Sequence, residues 1–189
     1  MNLRTFSASV ALAGAALMPW AAHAQQALVP AQSEIHFVSK QMGVPVEGKF
    51  KAFSAQINFD PAKLDASKIA FTVDTGSADI SREANAELPK AVWFNVAKFP
   101  QATFQSSSIK RIDANKFEVA GKLSIKGLSS DVVVPVTLAQ SGATTTATGA
   151  FPIKRLIFRI GEQEWSDTSM VADEVQVKFK LALTGMPKL

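Results

Sequence analysis

Apolar residues recur at every second position along most of this chain. Near the C-terminus Val175, Val177, Phe179, Leu181 and Leu183 interleave with Gln176, Lys178 and Lys180. A strand with that spacing has one apolar face and one wet face. The same period runs through Phe117, Val119, Gly121, Leu123 and Ile125, through Ile69, Phe71 and Val73, and through Val132, Val134, Val136 and Leu138. Phe53, Ala55, Ile57 and Phe59 form another set, with Phe50 on the opposite parity. That change of phase predicts one long strand bent at a bulge near Lys51-Ala52. Ile35 and Phe37 open the series, and Thr103 to Ile109 and Thr145 to Ile160 complete about eight strands. Pro135 has no N–H to give to a ladder, so its strand is expected at an edge or a bulge.

The connections predict an antiparallel order. Asp113-Ala114-Asn115 and Lys126-Gly127-Leu128-Ser129 read as tight turns, which need no crossover helices. Only Ser81 to Val96 breaks the rhythm; it is rich in Ala and Glu, spaced for a short helix and interrupted by Pro89. No repeat or linker divides the chain, which predicts one domain. Eight strands with one wet face close either as a two-sheet sandwich or as a barrel. Runs of ten or more residues exceed the usual strand length of about five or six, and a bent strand is a device of barrels. The barrel is therefore favoured, with the helix near one mouth.

Residues 1–24 read differently. Arg4, an apolar run from Ala8 to Met18 and then Ala22-His23-Ala24 form a basic start, a short greasy stretch and an A-x-A site. Such a segment is expected to be a secretory signal cleaved after Ala24, leaving residues 25–189 exported. The apolar run is shorter than the roughly 20 residues of a membrane helix.

Composition then narrows the chemistry. The 189 residues contain no Cys, which excludes disulfides, thiol nucleophiles and cysteine metal sites. Twenty Lys and Arg against sixteen Asp and Glu leave a small positive excess, and the lysines are scattered. Nucleic-acid binders gather their charge on one face, so no nucleic-acid partner is expected. Beyond residue 24 His36 is the one histidine, and neither metal spacing nor a G-x-S-x-G elbow occurs. Carboxylates do cluster, at Asp74 and Asp79 and at Glu162, Glu164 and Asp167. A hydrolase using Asp79, Glu83 or Glu164 is thus one alternative. The remaining signal is apolar: thirteen Phe, three Trp and no Tyr. Phe has no polar tip, so these rings belong in a dry core or around a greasy cavity. The two outcomes are an interaction barrel filled by its own side chains and a barrel that holds a ligand.

Several stretches resemble the YceI-like family of secreted lipid- or polyisoprenoid-binding proteins. They are Ser33-Glu34-Ile35-His36-Phe37, Val46-Glu47-Gly48-Lys49-Phe50, Ile57-Asn58-Phe59-Asp60-Pro61 and the run from Phe94 to Phe104, FNVAKFPQATF. Gly121 to Leu128 (GKLSIKGL) is similar to the family's G-x-L-T-I-x-G-V signature, and Lys154 to Gly161 with Glu164-Trp165 to its R-x-x-F-x-I-G…W segment. The resemblance runs from about Ser33 to Leu183. It implies an eight-stranded antiparallel, lipocalin-like barrel with a short helix near the mouth and no enzyme activity. It implies no cofactor but a bound long-chain isoprenoid or acyl lipid, such as a polyprenyl quinone or polyprenyl phosphate. It also implies a periplasmic address and a membrane b-type cytochrome or other quinone-handling partner, and it leaves the oligomeric state open, a dimer included.

The resulting expectation is a lipid carrier whose cavity is lined by Phe37, Phe53, Phe59, Phe71, Phe104, Phe117, Leu123, Phe158 and Phe179. Leu88, Trp93 and Phe94 form the lid. Arg155 either anchors a polar head group through its guanidinium or pairs with a surface carboxylate. No metal site and no catalytic residues are expected.

Overall fold

The alternating segments become strands of one curled antiparallel sheet. The computed structural model describes residues 25–189, so the signal-type segment 1–24 lies outside the described residues. The strands are β1 (Ala27–Leu28), β2 (Glu34–Gln41), β3 (Val44–Phe50), β4 (Phe53–Asn58), β5 (Lys68–Asp74), β6 (Ala78–Asp79), β7 (Gln101–Asp113), β8 (Lys116–Ile125), β9 (Leu128–Ser141), β10 (Thr144–Lys154) and β11 (Glu174–Thr184). Their order is β4-β5-β7-β8-β9-β10-β11-β2-β3-β6, and β1 pairs with β11. Because β3 pairs with β2 while β4 pairs with β5, the chain from Val44 to Asn58 carries the sheet from its last long strand back to its first. Counting β3 and β4 as that single bent strand gives the expected eight-stranded, lipocalin-like barrel. The remaining pieces, β1 and β6, are two-residue additions.

The bend falls at Lys51-Ala52, where the phase of the apolar residues changes. Ser77 pins it: its hydroxyl accepts from the Ala52 N–H (3.0 Å) and its carbonyl accepts from the Lys51 N–H (3.1 Å). At the far end of β4 the Gln26 side chain imitates a strand, accepting from the Phe59 N–H (2.8 Å) and donating to its carbonyl (2.7 Å). Pro135 pairs with Glu118 of β8, but the ladder to β10 stops at Thr137–Thr148, two residues short of it. β9 is therefore not an edge strand, since it lies between β8 and β10; the missing N–H falls where its ladder to β10 is interrupted.

Two expectations are corrected. The strand read as Thr145 to Ile160 ends at Lys154, and Arg155–Phe158 is a 3-10 turn closed by Arg159 in the left-handed region. The helix expected over Ser81–Val96 is only α1 (Arg82–Glu87), followed by turns. Ser81 caps α1 by accepting from the Ala84 N–H, and Pro89 ends it.

Three inward glycines shape the interior. A β-carbon on Gly48 would lie 2.4 Å from Phe37 Cζ, one on Gly121 2.6 Å from Phe104, and one on Gly149 2.4 Å from Phe179. Each ring therefore occupies the space where a neighbouring strand lacks a side chain. The rings lie along the wall instead of crossing the lumen.

Candidate functional site

The barrel encloses a cavity of about 540 Å³, within the range of small-molecule sites. Its closed end is sealed by Phe59 and Phe117, both buried, with ring centroids 5.2 Å apart and planes at 90°. Outside that seal the Arg111 guanidinium lies 4.9 Å from the Phe117 ring centroid and donates to the carbonyls of Ala114 and Pro61. At the other end Ser39 and Gln41 of β2, Ser81, Glu83 and Glu87 around α1, and Trp165 form the rim.

Of the residues expected at the cavity, Phe37, Phe59, Phe71, Phe104, Phe117, Leu123 and Phe179 line it. Phe53 and Phe158 do not. Phe53, first in β4 after the bend, packs against the lower core cluster. Phe158 belongs to the 3-10 turn, not to a strand, and is buried among Phe37, Phe94 and Ile160 in the upper cluster. The alternating pattern could not place it, because its helical turn has another period. The lid residues Leu88, Trp93 and Phe94 also face the cavity. Phe37, Phe50 and Phe94 form a chain of rings, at 5.2 and 6.1 Å, that couples the wall to the lid.

Arg155 differs from both expectations. Its side chain reaches the cavity lining, yet the residue is only 2% exposed and its guanidinium is fully engaged. Nε donates to the Ala172 carbonyl (3.0 Å), Nη1 to Ile160 and Gly161 (2.8 and 2.9 Å), and Nη2 to Trp165 and Val171 (2.7 and 2.6 Å). A guanidinium has five N–H donors, and all five are spent on backbone carbonyls. Burial pushes its pKa down, an effect opposed by Asp173. Arg155 is accordingly a strut that fixes the segment between β10 and β11, with no donor left for a head group. Gly161 fits beneath it at φ +75°, where a β-carbon would meet Nη1 at 2.6 Å and Trp93 at 2.9 Å.

Among the described residues a buried side-chain polar group without a partner does occur at this end, on Trp93. Its Nε1 is buried and has no hydrogen-bond partner among the described residues, and its ring sits 5.4 Å from Trp165. The sequence flagged Trp93 only as an apolar lid residue; no periodicity tells which indole N–H lacks an acceptor. Among the described residues Arg155 is the one cation in the lining, whereas Glu83 and Glu87 put carboxylates there.

The acidic candidates do not assemble into acid–base machinery. Asp79 accepts from Asn85 (2.7 Å), and this bond, with Lys51 and Lys49 nearby, holds its carboxyl below the usual range. An anion so stabilised is a poor proton donor at neutral pH. Glu164 is exposed in the 3-10 turn Gln163–Ser166, and Glu83 is exposed on α1. His36 lies on the outward parity of β2, 3.2 Å from Glu34 and 3.5 Å from Glu47. No group of His, Asp or Glu suited to a metal ion occurs among the described residues.

Comparison with known proteins agrees with this architecture. A crystal structure of Burkholderia cenocepacia BcnA superposes with a TM-score of 0.79 at 50% identity, covering 82% of this chain and 98% of that one. The Campylobacter jejuni YCEI protein gives 0.66 at 25% identity, over 72% and 83% of the two chains. A polyisoprenoid binding domain from Saccharophagus degradans, implicated in plant cell wall breakdown, shares the fold at 0.66 with 14% identity, over 84% and 97%. Protein YceI of Salmonella arizonae is 35% identical over 96 residues, so the match spans half of this chain and half of that relative. The model of the YceI-like domain matches residues 27–183, and the chain belongs to that family.

Proposed function

We propose that this protein carries a long-chain isoprenoid or acyl lipid, its tail in the barrel and a neutral head group at Trp93. The observation that supports this most is the lumen: an open space of about 540 Å³ walled mostly by Phe, Val, Ile and Leu. A barrel filled by its own side chains would leave no such space, so the self-packed alternative is disfavoured. The polyisoprenoid binding neighbour, alike in fold, points the same way. Each buried methylene contributes roughly 0.8 kcal/mol, so a five-carbon isoprene unit adds about 4 kcal/mol before ordering costs.

The rim selects the head group. A phosphate would meet the Glu83 carboxylate, and Glu87 already paired with Lys90, with no free cation in the lining, and burying an unpaired charge is costly. A quinone is uncharged and offers carbonyl oxygens that can accept from Trp93 Nε1. A polyprenyl quinone therefore fits better than a polyprenyl phosphate. On this reading the protein is a binder and not an enzyme. It acts in the periplasm, to which the export signal expected in residues 1–24 and the family resemblance both point, beside a membrane b-type cytochrome or another quinone-handling partner.

The test is to express the chain with residues 1–24, purify it without detergent and record native mass spectra. A stoichiometric adduct of several hundred daltons that extracts into organic solvent is expected. A bare chain that takes up neither a polyprenyl quinone nor a polyprenyl phosphate would refute the carrier reading.

A further inference from the structure

Three of the stretches that carry the family resemblance meet outside the barrel. The Phe94–Phe104 run supplies Asn95 and Lys98, the Gly121–Leu128 run supplies Lys126, and the segment after β10 supplies Arg159, Glu162 and Gln163 to one surface cleft. None of these residues lines the lumen.

The cleft is costly to build. Among the described residues five non-glycine positions have positive φ, and four of them, Asn95 (51°), Lys126 (51°), Arg159 (53°) and Gln163 (59°), lie in this cleft. Lys126 and Gly127 are the two central residues of the β8–β9 hairpin, both left-handed, where Asn-Gly is the common choice. Arg159 closes its 3-10 turn in the position that favours Gly or Asn. Long cationic side chains thus stand where the backbone prefers small residues, and strain of this kind gathers at functional sites.

The charges have unused capacity. The Lys126 side chain is only 6% exposed; its ammonium donates to the Arg159 carbonyl (2.6 Å) and to Glu162 (3.1 Å), leaving one of its three donors. Arg159 reaches the same Glu162 only loosely, at 3.9 Å. Lys98 has no carboxylate partner among the described residues, and its ammonium is held over the Phe99 ring at 5.4 Å. Three cations therefore face one carboxylate. We propose that this cleft binds a small oxyanion, a carboxylate or a phosphate group, between Lys98, Lys126 and Arg159 and apart from the lumen.

Backbone-resolved NMR titration of the protein with inorganic phosphate, acetate and chloride, at matched ionic strength, tests this. Saturable shifts are expected at residues 95–99, 126–128 and 159–163 with phosphate, acetate or both, and the pattern tells which oxyanion the site takes. Lys98→Gln and Arg159→Gln, both exposed positions, should each weaken binding by about fivefold, the size of one charge-assisted contact. Glu162→Gln should tighten it, since the anion then loses its competitor; a merely structural Glu162 would not have that effect. Shifts that follow ionic strength equally for chloride, or affinities unchanged in the Lys98 and Arg159 variants, would overturn the proposal. Lipid loading, read separately by native mass spectrometry, is expected to be unchanged in both variants.

Discussion

Substituting Gly48 by Ala would test whether the lumen is kept open by rings laid on glycines. The new β-carbon would lie 2.4 Å from Phe37 Cζ and 2.7 Å from Phe37 Cε2 and Ile80 Cγ1, all of them side-chain atoms. Ordinary carbon contacts are about 3.5–4.0 Å, so the Phe37 ring must retreat by about 1 Å or more. The ring rests on Gly48 on one side and faces the cavity on the other, which leaves the lumen as its way out. Overpacking of this kind costs about 1–3 kcal/mol, against about 0.4–1 kcal/mol gained by stiffening the unfolded chain. The net expectation is a loss of about 1–2 kcal/mol.

Binding should suffer as well. Phe37 touches Phe50, and Phe50 touches Phe94, so a displaced ring intrudes on the cavity and disturbs the lid together. A loss of about 1.4 kcal/mol in binding is tenfold in Kd. Trp93 and Trp165 face the cavity, so quinone titration followed by tryptophan quenching gives the affinity, and denaturant unfolding gives the stability. Gln56→Ala, on the outward face of β4, is the control and should change neither. If Gly48→Ala loses stability yet binds a long polyprenyl quinone as tightly as the parent, the ring does not gate the lumen and the reasoning fails.

Other consequences follow from the same geometry. Trp93→Phe keeps the ring but removes the N–H; it should weaken quinone binding by about fivefold while leaving a head-less hydrocarbon tail unaffected, as two titrations would show. Arg155→Met leaves five backbone carbonyls without their donor and should cost about 3 kcal/mol or more in chemical denaturation, whereas mutating the exposed Lys122 should cost almost nothing. Affinity should climb with each isoprene unit and then level off once the lumen is full, a plateau that a series of quinones of increasing tail length would locate. Asp79 and Asp167 have carboxyl pKa values lowered in the fold, Asp79 first by its bond from Asn85 and Asp167 first by Ser169. Their stabilisation is therefore present above the unfolded carboxylate pKa of about 4 and lost as pH falls through the lowered folded value. Asp79→Asn should flatten the acid limb of a Tm-against-pH profile, and an unchanged limb would remove Asp79 from that role.

What the sequence reveals here is set by period and by neighbours. Alternation locates β4, β8, β9 and β11 because each strand has one face in the lumen and one in water, and the phase slip between Phe50 and Phe53 locates the bend. The two-residue strands β1 and β6 carry too few positions for any period to show. Phe158 escapes the pattern for the opposite reason: a 3-10 turn continues an apolar run that reads like a strand. Phe53 keeps the right parity and shares the inner face with its ladder partner Val73, yet it packs into the core cluster and does not reach the open space. Arg155 shows the limit most sharply. An arginine near a mouth reads as a head-group anchor, but its five acceptors are main-chain carbonyls from residues 160 to 172, whose approach depends on tertiary structure alone.

Gly48, Gly121 and Gly149 and the guanidinium of Arg155 solve one problem from two directions. A barrel of this size has every reason to collapse on itself, since closing a void gains dispersion contacts along its whole lining. Laying Phe37, Phe104 and Phe179 against glycines satisfies those rings with the wall, so moving inward gains them little. Arg155 meanwhile braces the segment that carries Gly161, Trp165 and Val171 over the rim, so the mouth cannot sink into the space below. Remove either device and the cavity should shrink, by a ring turning inward or by the rim settling. An open lumen is then a property the fold maintains at some expense of packing, and a long apolar ligand is the occupant that would restore the missing contacts.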